Sequence, residues 1–177
     1  MGLHDNTVQE ALNKHLGKII RVTPLVTASS AYADGDVLFE GTEIPNAVAV
    51  KGGTSRLVNA YIVDEDSQTV STFLVFTEND TDFGTMHATA NISYDNAVAS
   101  KINCVAKFDE NAQSSDFDNF KFKEMQSMSG TNEGNHPLLL QAASDSTSVY
   151  VQGIIFSGTP TFTQTDSLHL ILHVEYR

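Results

Sequence analysis

The sequence predicts an all-β fold: a jelly-roll-like antiparallel β-sandwich with a short N-terminal helical arm and one short inserted helix. Three observations carry this. Ten short strand-like runs follow one another from residue 19 onward, separated by polar turns. Helical periodicity is confined to the first 17 residues and one later segment. No Pro- or Gly-rich linker and no internal repeat divides the 177 residues. The chain therefore reads as an arm, 1–18, and one sandwich body, 19–177, of a size that buries roughly 70% of its unfolded surface.

The arm comes first. Thr7 with Glu10 three residues on forms a capping box, Val8, Leu12 and Leu16 recur at i, i+4 and i+8, and Gly17 supplies a C-terminal stop. A helix shorter than ~12 residues is marginal alone in water, so this stripe must dock, either on its own domain or as an arm gripping a neighbouring subunit.

The strands follow in order. Expected runs are 19–27, with Pro24 marking an edge or bulge, then 36–40, 46–51, 57–63, 70–77, 102–107, 120–126, 138–143, 149–156 and 168–176. The last is the clearest, with Leu168, Leu170, Leu172 and Val174 on one face and His169, Ile171, His173 and Glu175 on the other. Connections 64–69 and 144–148 are hairpin-sized and predict antiparallel pairing of the runs they join. Lys51-Gly52-Gly53-Thr54 reads as another hairpin turn. The inserted helix is expected at 94–101, capped by Ser93.

Charge narrows the functional classes. With 22 acidic and 10 basic residues the formal charge is −12, which argues against nucleic acid as a partner, because phosphate binding needs clustered Lys and Arg. Residues 64–100 hold seven acidic and no basic residues and are expected to form a negative, solvated face. No apolar run approaches the ~18 residues of a membrane span, and the first ten residues lack a signal-peptide pattern. The expectation is a soluble protein made in a cytoplasm, with no membrane partner.

Signatures of chemistry are sparse. No Walker loop or nucleophile elbow occurs, so no catalytic residues and no cofactor are expected. His169 and His173 mimic a helical zinc pair, but in a strand four residues span ~13 Å, too far for one metal. Asp64-Glu65-Asp66 and Asp80-Thr81-Asp82 read as solvated turns, since neither continues into a closing calcium loop. Cys104, unable to form an internal disulfide, reads as a small core residue.

Ala31-Tyr32-Ala33-Asp34-Gly35-Asp36-Val37-Leu38-Phe39, Glu43-Ile44-Pro45-Asn46-Ala47-Val48 and Gly52-Gly53-Thr54 resemble segments of small structural proteins of tailed bacteriophages, of the cyanobacterial and marine type. Ile62 to Asp66, Leu74-Val75-Phe76, Ile92 to Ala97, Ala142 to Val151 and Gly158 to Phe162 continue the likeness in order. The resemblance covers roughly residues 20–177 and implies a jelly-roll capsid decoration, or cement, protein. It implies a virion protein on the outer surface of the head, a homotrimer holding neighbouring subunits of the major capsid protein together, without catalysis. A tail or fibre component, or a lectin-like glycan-binding module, is the alternative. The charge tally and the arm together nominate Val8, Leu12, Lys14, Leu16, Lys18 and Arg21 as partner-binding residues.

Overall fold

The computed structural model describes residues 17–80, 83–110, 114–126 and 137–176. Residues 1–16 of the expected arm lie outside this set. Ten strands and one helix follow: β1 (Gly17–Val22), β2 (Val37–Ile44), β3 (Thr54–Asp64), β4 (Ser71–Thr77), α1 (Tyr94–Ser100), β5 (Ile102–Phe108), β6 (Ser114–Asp116), β7 (Lys121–Glu124), β8 (Leu138–Gln141), β9 (Val149–Ser157) and β10 (Leu168–Tyr176). Every strand pair is antiparallel. One sheet runs β1-β10-β3-β7-β6, with β8 sharing the edge of β3 beside β7; the other runs β2-β9-β4-β5. The fold is all-β, as the strand count predicted.

Alternation explains which faces meet. Leu168, Leu170, Leu172 and Val174 of β10 are all buried, and they join Leu57, Ala60 and Ile62 of β3, Leu74 and Phe76 of β4, and Val149, Val151 and Ile155 of β9 in one core. In β3 the alternation slips phase, from Leu57 to Ala60, where the register against β10 shifts between His173 and Val174. A bulge at Val58 and Asn59 is the physical cause, since one extra residue turns every later side chain to the other face. Gly153 sits mid-strand in β9 because the Phe39 ring lies on its α-carbon, where a Cβ would collide with the ring.

The expected hairpins at 64–69 and 144–148 are corrected. β3 and β4 lie in different sheets, as do β8 and β9, so 64–69 and 144–148 carry the chain across the core instead of folding back. At the first crossing the reason is a buried polar cluster. Asp64, fully buried, accepts N–H bonds from Asp66 (3.0 Å) and Gln68 (2.9 Å), which bend the chain out of β3. Lys123 of β7, 1% exposed, donates from Nζ to the carbonyls of Gln68 (2.9 Å) and Val70 (3.1 Å) and lies 3.5 Å from Asp64 Oδ2. Asp66 then holds Thr163 through its N–H (2.9 Å) and hydroxyl (2.6 Å). Asp64-Glu65-Asp66 is thus not the solvated turn expected: its first carboxylate is a buried anchor.

Other boundaries shift for local reasons. β1 ends before Pro24, which has no N–H for the ladder. The expected strand 46–51 is a turn segment: Asn46 adopts φ 52°, and Val48 N–H bonds to Thr147 O (3.1 Å) outside any sheet. Gly52, at φ 67°, donates to Ala143 O and Ser146 O, so the glycine pair fastens this segment to the β8–β9 crossing and is no hairpin. β6 lies between the expected runs 102–107 and 120–126, where no strand was expected. The helix matches its expectation, with Ser93 Oγ accepting from Asn96 N–H (3.1 Å) and Lys101 at φ 52° closing its end. It is nevertheless peripheral: Tyr94 and Val98 are exposed, and only Ser100 is buried.

The Phe39–Gly153 contact gives a direct test. Gly153→Ala should lower unfolding stability by about 1–3 kcal/mol through overpacking, seen as a lower urea midpoint at unchanged slope. Gly17→Ala, whose added Cβ meets nothing within 4 Å, should leave the midpoint where it is.

Candidate interaction surfaces

Two surface features stand out, one on each sheet. On the six-stranded sheet, β1 is an edge strand, pairing among the described residues with β10 alone. Ile20 points into the core, while Ile19 (51% exposed) points outward and, across β10, shares a depression with Val58 (42%) of β3. A shallow depression of about 470 Å³ lies here, lined by Lys18, Ile19, Val58, Pro137, His173 and Glu175 among others. Lys18 and Arg21 stand on opposite faces of β1 and so flank its free edge. Neither makes an ion pair among the described residues. The other described cations of the two sheets are engaged: Arg56 with Glu175 (3.8 Å), Lys107 with Asp109 (2.9 Å), and Lys121 and Lys123 with the buried acids, while Lys101 at the helix end pairs with Glu78 (2.6 Å).

Of the six nominated partner-binding residues, the structure therefore places Lys18 and Arg21 together at this edge; Val8, Leu12, Lys14 and Leu16 lie outside the described residues. Sequence reasoning missed Ile19 and Val58. Two adjacent isoleucines in β1 were the available signal, because only one of them can face the core; Val58 was hidden by the bulge.

The second feature is a groove of about 540 Å³ on the outer face of the four-stranded sheet, lined by Phe73, Val75, Ile92, Val105, Ile154 and Phe156 among others. Its floor is partly roofed by Phe83, which packs on Val75 and Ile154 as a second small core. Phe73 and Phe156 stack with centroids 4.6 Å apart, and Lys107 Nζ lies 4.7 Å from the Phe156 ring centre. This explains why β9 is apolar on both faces.

The expected acidic face does not form as one surface. Asp64 is buried and Asp66 is bound to Thr163, while Glu78 and Asp80 follow the far end of β4, and Glu78 pairs with Lys101. The two histidines of β10 have separate partners: His169 bonds Glu65 (2.8 Å) and Thr23 (3.0 Å), and His173 meets the Tyr61 ring edge-on. Among the described residues no group of three His, Cys, Asp or Glu is arranged to hold a metal ion. No helix of the described residues is long and apolar enough to cross a membrane.

Cys104 packs against the main core, and burial pushes its thiol from 9.0 up to about 12. Between those values the unfolded chain has lost the proton and the folded chain keeps it, so folding stability falls as pH rises from about 9 to 12. Subtracting the profile of Cys104→Ala from that of the wild type should isolate this fall. A thiol probe at about pH 8 should label the native protein far more slowly than the denatured chain.

Comparison with known proteins finds no family model, no curated protein and no solved structure that matches this chain.

Proposed function

We propose that this chain is a jelly-roll structural protein of a tailed-phage virion that binds the outside of the capsid and braces contacts between major capsid protein subunits. The observation that carries the reading is strand order. With the β6–β7 hairpin set aside as an insertion, β1-β10-β3-β8 faces β2-β9-β4-β5. The first and last strands are neighbours in one sheet, and the chain alternates between sheets as two nested Greek keys do. That pattern belongs to capsid and lectin domains alike, so it supports a scaffold for surface contact, and the sequence resemblance selects the capsid.

The docking surface in this reading is the β1 edge. An edge strand offers unpaired backbone groups, and Lys18 and Arg21 beside it offer charge to an acidic partner, with Ile19 and Val58 as apolar area. Flanking charges also protect the edge from unspecific strand addition until the partner is met. A trimer around a capsid axis would repeat the site three times, so that modest contacts add through avidity. Contact of this kind needs no catalysis and no cofactor.

A lectin-like or tail role keeps one supporting feature. Phe117 and Phe120, at the tip of the β6–β7 hairpin, stack 4.7 Å apart and are 52% and 36% exposed. Such a platform can pack on a sugar ring. Glycan binding that is lost in Phe117→Ala would favour this second reading.

The test of the first is reconstitution on particles that lack the protein. Lys18→Glu with Arg21→Glu should weaken occupancy by about tenfold, the effect of two exposed charge contacts of ~0.5–1 kcal/mol each, and the difference should shrink at high salt. Occupancy in hundreds of copies per particle is expected for a head protein. A handful of copies, or unchanged occupancy of the double variant, overturns the proposal.

A further inference from the structure

The buried cluster at the first sheet crossing is chemically more than an anchor. β3 and β7 are antiparallel neighbours with Asp64 opposite Lys121, so Lys123 lies two residues along on the same core-facing side. Its Nζ is 3.5 Å from Asp64 Oδ2 and 3.4 Å from Glu110 Oε2. Asp64 and Lys123 are essentially without solvent contact, and the Glu110 side chain is 10% exposed. We propose that the folded chain joins Lys123 to Asp64 by an intramolecular isopeptide bond, with Glu110 relaying the proton.

The arrangement meets the needs of that reaction one by one. A neutral amine has two N–H bonds and one lone pair. Glu110 Oε2 and the carbonyls of Gln68 and Val70 surround Nζ as acceptors; with one N–H on Glu110 and the other on a carbonyl, the lone pair is left for the Asp64 carbon. Nζ lies 3.5 Å from an oxygen of the carboxyl it would attack, so the two groups are already held in van der Waals contact. Asp66 and Gln68 N–H groups bond the two Asp64 oxygens, so they polarise the carbonyl and hold the oxyanion that forms as the nitrogen adds. Glu110 is itself held in place by Lys121 and donates its backbone N–H to Ser71 Oγ (3.0 Å). Burial pushes the Asp64 carboxyl up and the Lys123 amine down, more strongly than their mutual attraction opposes it, and so favours the neutral acid and the neutral amine that react.

The step balances without a co-reactant. Nζ of the neutral Lys123 adds to Cγ of the protonated Asp64 carboxyl. One amine proton passes through Glu110 to the departing hydroxyl, the Cγ–O bond breaks, and one water leaves as the Cγ–Nζ amide remains. Nothing is oxidised or reduced. Two groups whose charges are costly to bury become one neutral amide, which gives the water-excluded site a reason to drive the condensation.

Intact mass of the full chain is the test. The expected result is a mass lower by one water, with a tryptic digest in denaturant yielding a branched peptide that joins the Asp64 segment to an uncleaved Lys123. Glu110→Gln, checked for the native fold by circular dichroism, should carry the full mass and release Lys123 to trypsin. A wild-type chain at its full sequence mass with Lys123 cleaved overturns the bond. So does a loss of water that maps to Asp34-Gly35, where backbone cyclisation would give the same mass, with Lys123 cleaved. A link that persists undiminished in Glu110→Gln overturns the assigned proton relay.

Discussion

A carboxyl and an amine removed from water, facing each other where the chain leaves one sheet for the other, fix the topology of this domain. Burying an ionised group costs several kcal/mol even after the protein relaxes. Here burial outweighs the attraction between the two groups and favours their uncharged forms. Hydrogen bonds supply the compensation. Asp64 satisfies two backbone N–H groups of the turn, and Lys123 satisfies two of its carbonyls, so the polar groups of the crossing are paired without a strand ladder. A connection of this length suits a hairpin equally well. What separates the two routes is that only the crossing brings the turn under Lys123. Gly158 completes the fit, since at φ 109° its Cβ position would lie 2.6 Å from Thr69 O.

From that crossing the rest of the sandwich follows. Once β3 and β4 are committed to opposite sheets, β10 and β9 must cover them, and their inner rows close the core. The 160–167 segment is then drawn over the crossing: Thr161 N–H donates to Gln68 Oε1 (2.9 Å), Thr163 binds Asp66, and Glu65 N–H reaches Ser167 O (3.0 Å). The start of β2 is tied to the same end, because Asp34 Oδ1 accepts the Gly158 N–H (2.8 Å) and Tyr32 donates to Leu38 O (3.1 Å) from inside the core. Segments 31–39 and 158–162 thus serve turns and core packing.

Strand positions were legible in the sequence because period-two alternation is a local property. β10 shows it best: all four inward residues are at most 2% exposed. Which sheet a strand joins is not local. It depended on Lys123, nearly sixty residues from Asp64, and neither residue's type announces a buried partner. The segment 46–51 misled for a related reason, since Ala47 and Val48 are fully buried yet the Val48 N–H bonds to a crossing loop. At the candidate interface the charges Lys18 and Arg21 were legible from the uneven tally. The apolar residues beside them were not, because exposure of Ile19 and Val58 is set by the edge position and by the bulge.

Net charge and local charge now separate. Sequence proximity suggested one acidic face, yet the seven residues of β4 carry the chain ~20 Å between Asp64-Glu65-Asp66 and Glu78, and pairing or burial neutralises several of these carboxylates locally. Exposed charges further apart than ~8 Å are largely screened at physiological salt. A partner approaching β1 therefore senses Lys18 and Arg21 ahead of the −12 of the whole chain. An acidic protein can present a basic edge to an acidic surface while its remaining faces repel other copies of itself. On that argument the excess of acid and the cations Lys18 and Arg21 are parts of one arrangement, in which the proposed docking edge keeps a local charge opposite to that of the whole chain.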